Sequence, residues 1–382
     1  MSLDKKPVAA VITAWRALSH ADVIVGRLME PEAWGHKEPF ALEVVSVYAD
    51  QFPDDELCRA TCKRHNVPIF STINEALSAV PIEGVIIVGE HGDYAANMRG
   101  QRMYPRLRLF EGVVQSFRRM RRRVPVFSDK HLSYEWPFAR WMVDLARHEG
   151  FAFMTGSSLP VAWRVPDLSL PIGCELKEAF ALGYADLDAY GFHALETLQC
   201  MTERRAGGET GVASVQCLSG KAIWQNDESV WSQDLLEALL PARRQVNPKA
   251  MAVTPRDDDT LFLVNYADGL RASVGMFNSV GECFAFAGRR LGTNDADATV
   301  FALEPGRPYG HFGYLDRAIE RMILTGKPAY PVERTLLTTG ILAAALQSRS
   351  EAGTVIPTPH LAEIHYQPAE WPHATGAVGT PA

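Results

Sequence analysis

Apolar segments alternate with helical patterns along the first half of the chain. Between these segments, hydrophobic residues recur at helical spacing, as in the series Ala21, Ile24, Val25 and Leu28. Apolar segments that are continuous rather than alternating are typical of strands covered on both faces, and strands interleaved with helices indicate a parallel sheet. The strands predicted in this half are 8–12, 42–48, 85–88, 124–127 and 151–154.

The pattern changes after about residue 170. Longer strand-like segments follow one another there, and Asp268-Gly269 between two of them predicts a tight hairpin. Helices are predicted at about 314–324 and 336–349. The strands predicted in this half are 178–184, 212–218, 261–266, 271–277 and 282–287.

These patterns predict two domains of different fold class. The first is α/β with a parallel sheet, and the second is α+β with a large, open, mostly antiparallel sheet. We place the parallel-sheet domain at residues 1–130 and the second domain at residues 131–360. Residues 361–382 are rich in Pro, Ala and Gly and predict an irregular tail.

The amino-acid composition limits the kinds of molecule that we expect the protein to bind. The 382 residues are 47% hydrophobic and 22% charged, as in an average globular protein. The net charge of −7 argues against binding nucleic acid through a basic field, and no apolar run is long enough for a membrane span. Six cysteines and a polar N-terminus without an apolar leader predict a reduced, cytoplasmic protein. We therefore expect a small-molecule partner, no nucleic acid and no membrane.

Ligands of open parallel sheets bind beyond the carboxyl ends of the strands. Thr13 and Arg16 follow the first strand, where a helix N-terminus could bind an anion. A dinucleotide fold would have a glycine-rich turn here, but no glycine occurs between Thr13 and Val25, so an ordinary turn capped by Ser19 is the alternative. Asp50 ends the second strand, where an acidic residue commonly holds a ribose hydroxyl; otherwise it is a cap or a loop carboxylate.

Two dense polar clusters follow the next strands, and parallel neighbours would bring both to one crevice. A lysine among carboxylates can donate a proton or hold a substrate hydroxyl. Histidines with carboxylates could also bind a divalent metal, but no local motif such as HExxH supports that hypothesis, and we assign no metal ligands. The clusters consist of Glu90, His91 and Asp93 after the third predicted strand, and Asp129, Lys130 and His131 after the fourth.

His193 and Glu196 are three residues apart in a predicted helix near the start of the second domain, so they share a helix face. A histidine at a helix start that faces the cleft between domains could act as a general acid or base. The alternative is a histidine packed in the core.

The chain resembles the Gfo/Idh/MocA family of glucose-fructose oxidoreductase-like and inositol dehydrogenase-like proteins. Three segments carry the resemblance: VVSVYAD with its following helix, VPVFSDKHLSY, and the C-terminal stretch that begins YLDRAIERM. The resemblance implies a Rossmann-like domain followed by an open-sheet domain, and a homodimer or homotetramer. It places Lys130 on the motif lysine that binds substrate and assists proton transfer, and His193 on the catalytic histidine.

The resemblance also implies further roles and shows departures. Asp50 matches the residue that contacts the adenosine ribose, and Glu196 stands for the last acid of the segment that carries the catalytic histidine. The family's phosphate-binding glycines are missing, and the glutamate and proline beside the motif lysine are replaced by Asp129 and His131.

The leading hypothesis is an NAD- or NADP-dependent oxidoreductase that acts on a sugar, a polyol or a derivative. One alternative is a lyase, isomerase or hydrolase, with or without a metal, in a rebuilt Rossmann crevice that is lined by His20, Glu90, His91, Asp129 and His131. Another is a non-catalytic binding protein on the same scaffold. The predicted roles are catalytic for Lys130 and His193; cofactor-binding for Thr13, Arg16, Asp50, Glu90 and Asp129; and substrate-binding for His91, Asp93, His131 and Glu196.

Overall fold

A six-stranded parallel sheet forms the first half of the molecule. The computed structural model describes residues 5–225, 230–248, 253–304, 306–380 and 382. The strand order is β3-β2-β1-β4-β5-β6, the order of a Rossmann-like sheet, with the topological switch point between β1 and β4. The strands are β1 (Lys6–Ile12), β2 (Leu42–Ala49), β3 (Ile69–Phe70), β4 (Gly84–Val88), β5 (Val126–Asp129) and β6 (Phe153–Gly156).

Both faces of this sheet are covered, which explains its continuous apolar strands. Ala9 and Val11 pack into one core cluster, whereas Val8, Ala10 and Ile12 pack into another. A π-helical turn at Asp22–Gly26 continues into the first helix. The helices of this half are α1 (Arg27–Met29), α2 (Cys58–Arg64), α3 (Ile73–Ser78), α4 (Arg106–Met120) and α5 (Trp136–Glu149).

The second sheet has eight strands in the order β14-β9-β10-β11-β8-β12-β13-β7. Every neighbouring pair is antiparallel except β11 with β8, and the predicted hairpin at Asp268-Gly269 joins β10 to β11. The predicted fold class is therefore confirmed. The strands are β7 (Trp163–Val165), β8 (Leu176–Gly183), β9 (Val212–Ser219), β10 (Thr260–Tyr266), β11 (Arg271–Met276), β12 (Phe284–Arg290), β13 (Ala296–Ala302) and β14 (Ile356–Pro357).

Helices pack on both faces of the second sheet. Alternate residues of β8 point to opposite faces: Ala179 and Ala181 join the cluster that includes α6 and α9, whereas Phe180 and Leu182 pack with α7. A fourth long helix, α8, covers part of the first sheet instead, where Ile323 lies against Gly84. The helices are α6 (Ala189–Thr202), α7 (Gln233–Val246), α8 (Gly310–Thr325), α9 (Val332–Ser350) and α10 (Pro359–Ala362).

Helix α7, which the sequence pattern did not predict, covers β8, β12 and β13 on one face of the second sheet. The resemblance implies self-association through the open sheet, and α7 reduces the area available for it. The homodimer or homotetramer stays a prediction. Within the described ranges, no helix combines the length and the hydropathy needed to cross a bilayer.

The predicted boundary at residue 130 stays a prediction, but β6 pairs with β5, so the first sheet continues to Gly156. Beyond α10, the described residues form no further helix or strand, although the tail is held in place. Tyr366 makes a bridge with Glu209, and the Ala374 N–H donates to the Val161 carbonyl.

Candidate active site

A cavity of about 590 Å³ lies between the carboxyl edge of the first sheet and the second domain. This volume is in the range of small-molecule sites. The predicted site residues Glu90, His91, Lys130 and His193 line it. Part of the opposite wall is aromatic and comes from the second domain and α8, with Tyr190, Phe284, Phe301, Tyr309 and Phe312 among its residues.

Lys130 and His193 meet at the polar side of this cavity. Lys130 Nζ lies 2.7 Å from His193 Nε2 and 3.3 Å from Glu90 Oε1. Lysine has only donors, so His193 Nε2 is the acceptor of this hydrogen bond. The two side chains come from different domains, Lys130 from the end of β5 and His193 from the second turn of α6.

The backbone of Lys130 adopts a left-handed conformation, with φ of 68°. This conformation costs a non-glycine residue roughly 1–2 kcal/mol. A hydrogen bond from the Lys130 N–H to the Gly156 carbonyl, 2.9 Å long, stabilises the turn. Such local strain is commonly held at functional sites. Here it occurs at the residue whose side chain reaches the cavity.

The electrostatics of this pair suit proton transfer. Burial lowers the pKa of His193 well below its usual value, and the neighbouring Lys130 lowers it further, so the imidazole is neutral at pH 7. Burial alone would raise the pKa of Glu90, but neighbouring positive groups, Lys130 foremost, hold that pKa below its usual range. A neutral imidazole therefore faces an ammonium group beside a carboxylate.

A second polar contact joins His20 to Asp129 at the base of the cavity. His20 Nδ1 lies 2.6 Å from Asp129 Oδ2, and Asp129 is buried. The His20 ring also lies 6.0 Å from that of His91 and 6.3 Å from that of His193, measured between centroids. Glu90 and Asp129 therefore lie on the same edge of the sheet, close to Lys130 and His193.

His131 and Asp93 do not line the cavity. His131 is buried behind it, where its Nε2 lies 2.9 Å from Arg106 Nη1 and its ring packs against Phe192. Asp93 is exposed, and its backbone is hydrogen-bonded to the Gln51 side chain. The substrate-binding roles assigned to these two residues stay predictions.

Glu196 also lies outside the cavity, fully buried between α6 and α9. The Thr338 hydroxyl donates to Glu196 Oε1 over 2.8 Å, and burial raises the pKa of this carboxyl from 4.5 to about 7. The substrate-binding role stays a prediction. The geometry instead places a carboxyl that changes charge near neutral pH in a helix interface.

Glu196→Gln should flatten the pH dependence of stability. Because the folded-state pKa lies above the unfolded value, the carboxyl destabilises the folded protein progressively as the pH rises from 4.5 to about 7. The wild type should lose about 2–3 kcal/mol over this interval through Glu196, and the variant should not. Urea unfolding at several pH values measures this difference, with the exposed Glu43→Gln as the control. A variant with the wild-type pH slope would contradict it.

The turn after β1 satisfies its own polar groups. Thr13 is buried, and its hydroxyl donates to the Glu90 carbonyl over 2.5 Å. The Asp22 carboxylate accepts from the Trp15 indole and from the Leu18 N–H. Arg16 lies at the surface, where it pairs with an aspartate, Asp55. Thr13 and Arg16 therefore lie close to the sheet edge but do not line the cavity.

Asp50 ends β2 at the same edge of the sheet, away from Lys130. Its carboxylate accepts hydrogen bonds from the hydroxyls of Tyr48 and Tyr94 and from the Arg108 guanidinium, at 2.6–2.7 Å. Burial opposes ionisation, but these bonds outweigh it and lower the pKa of Asp50. The carboxylate is charged at neutral pH and remains partly accessible.

Two residues of this region were not among those given predicted catalytic, cofactor-binding or substrate-binding roles. His20, which the hypothesis of a rebuilt crevice names as a lining residue, follows the turn after β1, lines the cavity and contacts Asp129. Arg106 is buried at the start of α4, next to His131 and 3.9 Å from Glu90 Oε2. The long polar loop before α4 was the available signal, since loops of this length are often functional.

Comparison with known proteins identifies relatives by structure only. No protein-family model matches the chain, and no curated protein sequence is significantly similar to it. GenD2 from gentamicin A biosynthesis, solved with NAD, superimposes with a TM-score of 0.60 at 12% identity, covering 94% of this chain and 97% of that one.

Two inositol dehydrogenases give similar values. Lactobacillus casei myo-inositol dehydrogenase, solved with NAD(H) and myo-inositol, has a TM-score of 0.57 at 11% identity, covering 92% of this chain and 96% of that one. The Corynebacterium glutamicum myo-inositol dehydrogenase has a TM-score of 0.57 at 12% identity, with coverage of 92% and 98%. At these identities the comparison shows the fold alone: the chain has the two-domain fold of the inositol dehydrogenases.

Proposed function

We propose that the protein is an oxidoreductase related to the Gfo/Idh/MocA family, which oxidises a hydroxyl group of a sugar, a polyol or a derivative with NAD or NADP. The observation that carries the proposal is the contact of 2.7 Å between Lys130 Nζ and His193 Nε2 in the interdomain cavity. The structural relatives solved with NAD or with myo-inositol support this class of cofactor and substrate.

Lys130 and His193 would handle the proton. A substrate hydroxyl that displaces the direct hydrogen bond between the two side chains can donate to His193 Nε2 and accept from Lys130 Nζ. His193 is neutral and can take the hydroxyl proton, while the Lys130 ammonium stabilises the negative charge that develops on the oxygen. Glu90, whose Oε1 lies 3.3 Å from Lys130 Nζ, holds the Lys130 side chain in position. When bound, the nicotinamide would accept a hydride from the carbon that carries this hydroxyl.

The residues at the sheet edge fit a ribose of a dinucleotide but do not fit its diphosphate. Asp50 is a charged carboxylate at the end of β2, where it could accept from ribose hydroxyls. The turn after β1 does not fit a diphosphate, because the Asp22 carboxylate already occupies the Leu18 N–H and would repel an anion. We therefore derive no step from the diphosphate. We assign Thr13 and Arg16 to cofactor binding only because of their position near the sheet edge. We assign Glu90 and Asp129 to the part of the cofactor that would lie nearest the cavity.

Asp50→Ala should weaken the binding of NAD or NADP by about 1.5–3 kcal/mol, the value of a charge-assisted hydrogen bond. Isothermal titration calorimetry with both dinucleotides measures this loss. The exposed Asp54→Ala is the matched control and should bind as the wild type does. If neither dinucleotide binds the wild type at millimolar concentration, the nicotinamide part of the proposal fails.

A second candidate is a lyase, isomerase or hydrolase that uses the same cavity without a dinucleotide. The specific observation that favours it is the Asp22 carboxylate in the turn where a diphosphate would bind. The same Lys130 and His193 could then move a proton from carbon or from water. This candidate predicts turnover of a sugar derivative with no nicotinamide present. A non-catalytic binding protein, the third alternative, gives no reason for an aligned lysine, histidine and glutamate in the cavity.

A further inference from the structure

Three metal-ligating side chains meet at the base of the cavity. His20, Glu90 and Asp129 each offer one donor atom, and these atoms lie within 4.8 Å of one another. The three residues follow or end the neighbouring strands β1, β4 and β5. Because the carboxyl ends of parallel strands share one edge, the sheet itself brings the three donors together.

Each of the two carboxylates has one oxygen in use and one oxygen without a partner. Glu90 Oε1 faces Lys130, and Asp129 Oδ2 contacts His20. Glu90 Oε2 and Asp129 Oδ1 are buried and have no hydrogen-bond partner among the described residues. Arg106 Nη2 lies 3.9 Å from Glu90 Oε2, beyond hydrogen-bond distance. Buried charged oxygens without partners are costly, so a bound ion or an ordered water molecule would stabilise them.

We propose that His20, Glu90 and Asp129 bind a divalent transition-metal ion such as Mn²⁺ or Zn²⁺. One imidazole and two carboxylates form a mixed nitrogen and oxygen set that suits these ions. The two carboxylate charges offset the charge of the ion. The His91 ring lies beside this set, 6.0 Å from the His20 ring between centroids.

The ion would leave coordination positions open towards the cavity, because His20 and Glu90 both line it. Water or a substrate oxygen would fill these positions, as in catalytic metal sites. A hydroxyl or carbonyl bound there would lie in the cavity that Lys130 and His193 also line. The ion would therefore orient a hydroxylated substrate for the Lys130–His193 pair. Metal binding itself does not depend on hydride transfer.

The test is Mn²⁺ binding by the chelator-treated 382-residue chain, measured by electron paramagnetic resonance without substrate or dinucleotide. The wild type should bind one Mn²⁺ per chain. His20→Ala should bind at least about tenfold more weakly, since it removes a direct ligand. The exposed His148→Ala is the matched control and should bind as the wild type does. Elemental analysis of the untreated proteins should find close to one equivalent of a divalent metal in the wild type and in His148→Ala, and less in His20→Ala.

The absence of saturable Mn²⁺ and Zn²⁺ binding by the wild type would overturn the proposal, as would equal binding by His20→Ala. The His20 side chain is 14% exposed and contacts the buried Asp129, so circular dichroism must show that its truncation leaves the fold intact. If that variant nevertheless unfolds, Glu90→Gln replaces it, and unchanged binding by Glu90→Gln overturns the proposal equally. Because no dinucleotide is present, this failure is distinguishable from failure of the proposed oxidoreductase activity.

Discussion

Lys130→Met should lower kcat by about 10²–10⁴, the usual contribution of a positioned proton-transfer group. Methionine keeps the length of the side chain but removes the ammonium that contacts His193 and Glu90. The substrate oxygen would then develop negative charge with no cation beside it. Steady-state rates on the best substrate of the wild type measure the loss, and KM shows whether binding is affected separately.

Removing the ammonium also leaves Glu90 charged and buried, so stability must be separated from catalysis. The double variant Lys130→Met with Glu90→Gln removes both charges. We expect it to recover the stability lost by Lys130→Met, while its kcat stays low. A single variant with near-wild-type kcat would show that Lys130 is a structural residue.

Arg334→Met should destabilise the protein by about 3–5 kcal/mol, because it leaves a buried carboxylate without its partner. Arg334 is 4% exposed, and its Nε donates to Glu203 Oε2 over 2.8 Å. The Tyr366 hydroxyl donates to the same oxygen, also over 2.8 Å. The ion pair joins α9 to the end of α6, and the hydrogen bond from Tyr366 attaches the C-terminal tail to the same pair. Its loss therefore weakens the helix layer that holds His193.

Urea unfolding measures this loss of stability. The matched control is Arg140→Met, whose exposed pair with Asp144 should contribute less than about 1 kcal/mol. Adding Glu203→Gln to Arg334→Met should recover part of the stability, since no buried charge then remains. If Arg334→Met is no worse than Arg140→Met, the buried pair is not a stabilising element.

The two sheets could be predicted from sequence because each strand carries its own signal. Residues 8–12 and 85–88 are apolar throughout since both faces of the first sheet are covered, and Asp268-Gly269 marks a hairpin locally. The packing partners carry no such signal. Helix α8 lies far along the chain from the first sheet, and α7 covers the second sheet through contacts that no local pattern encodes.

The site was predictable as a set of strand ends but not in the direction of each side chain. Lys130 turns towards the cavity because its backbone is left-handed, and His131 then points into the core beside Arg106. Glu196 follows His193 by three residues on α6, so the two side chains point in similar but not identical directions. As a result Glu196 lies between α6 and α9 rather than in the cavity. Side chains three residues apart on a helix differ by about 60° around its axis, which is enough for one to face the cavity and the other the core.

The central claim is tested most directly by the absorbance of reduced nicotinamide at 340 nm. Purified wild type would be incubated with NAD or NADP and a panel of sugars, polyols and their acid or amino derivatives. We predict that at least one compound gives reduced nicotinamide with the wild type, and that Lys130→Met gives a rate at least about a hundredfold lower. The account would be contradicted if the wild type converts a panel compound with no dinucleotide present and forms no reduced nicotinamide when NAD or NADP is added.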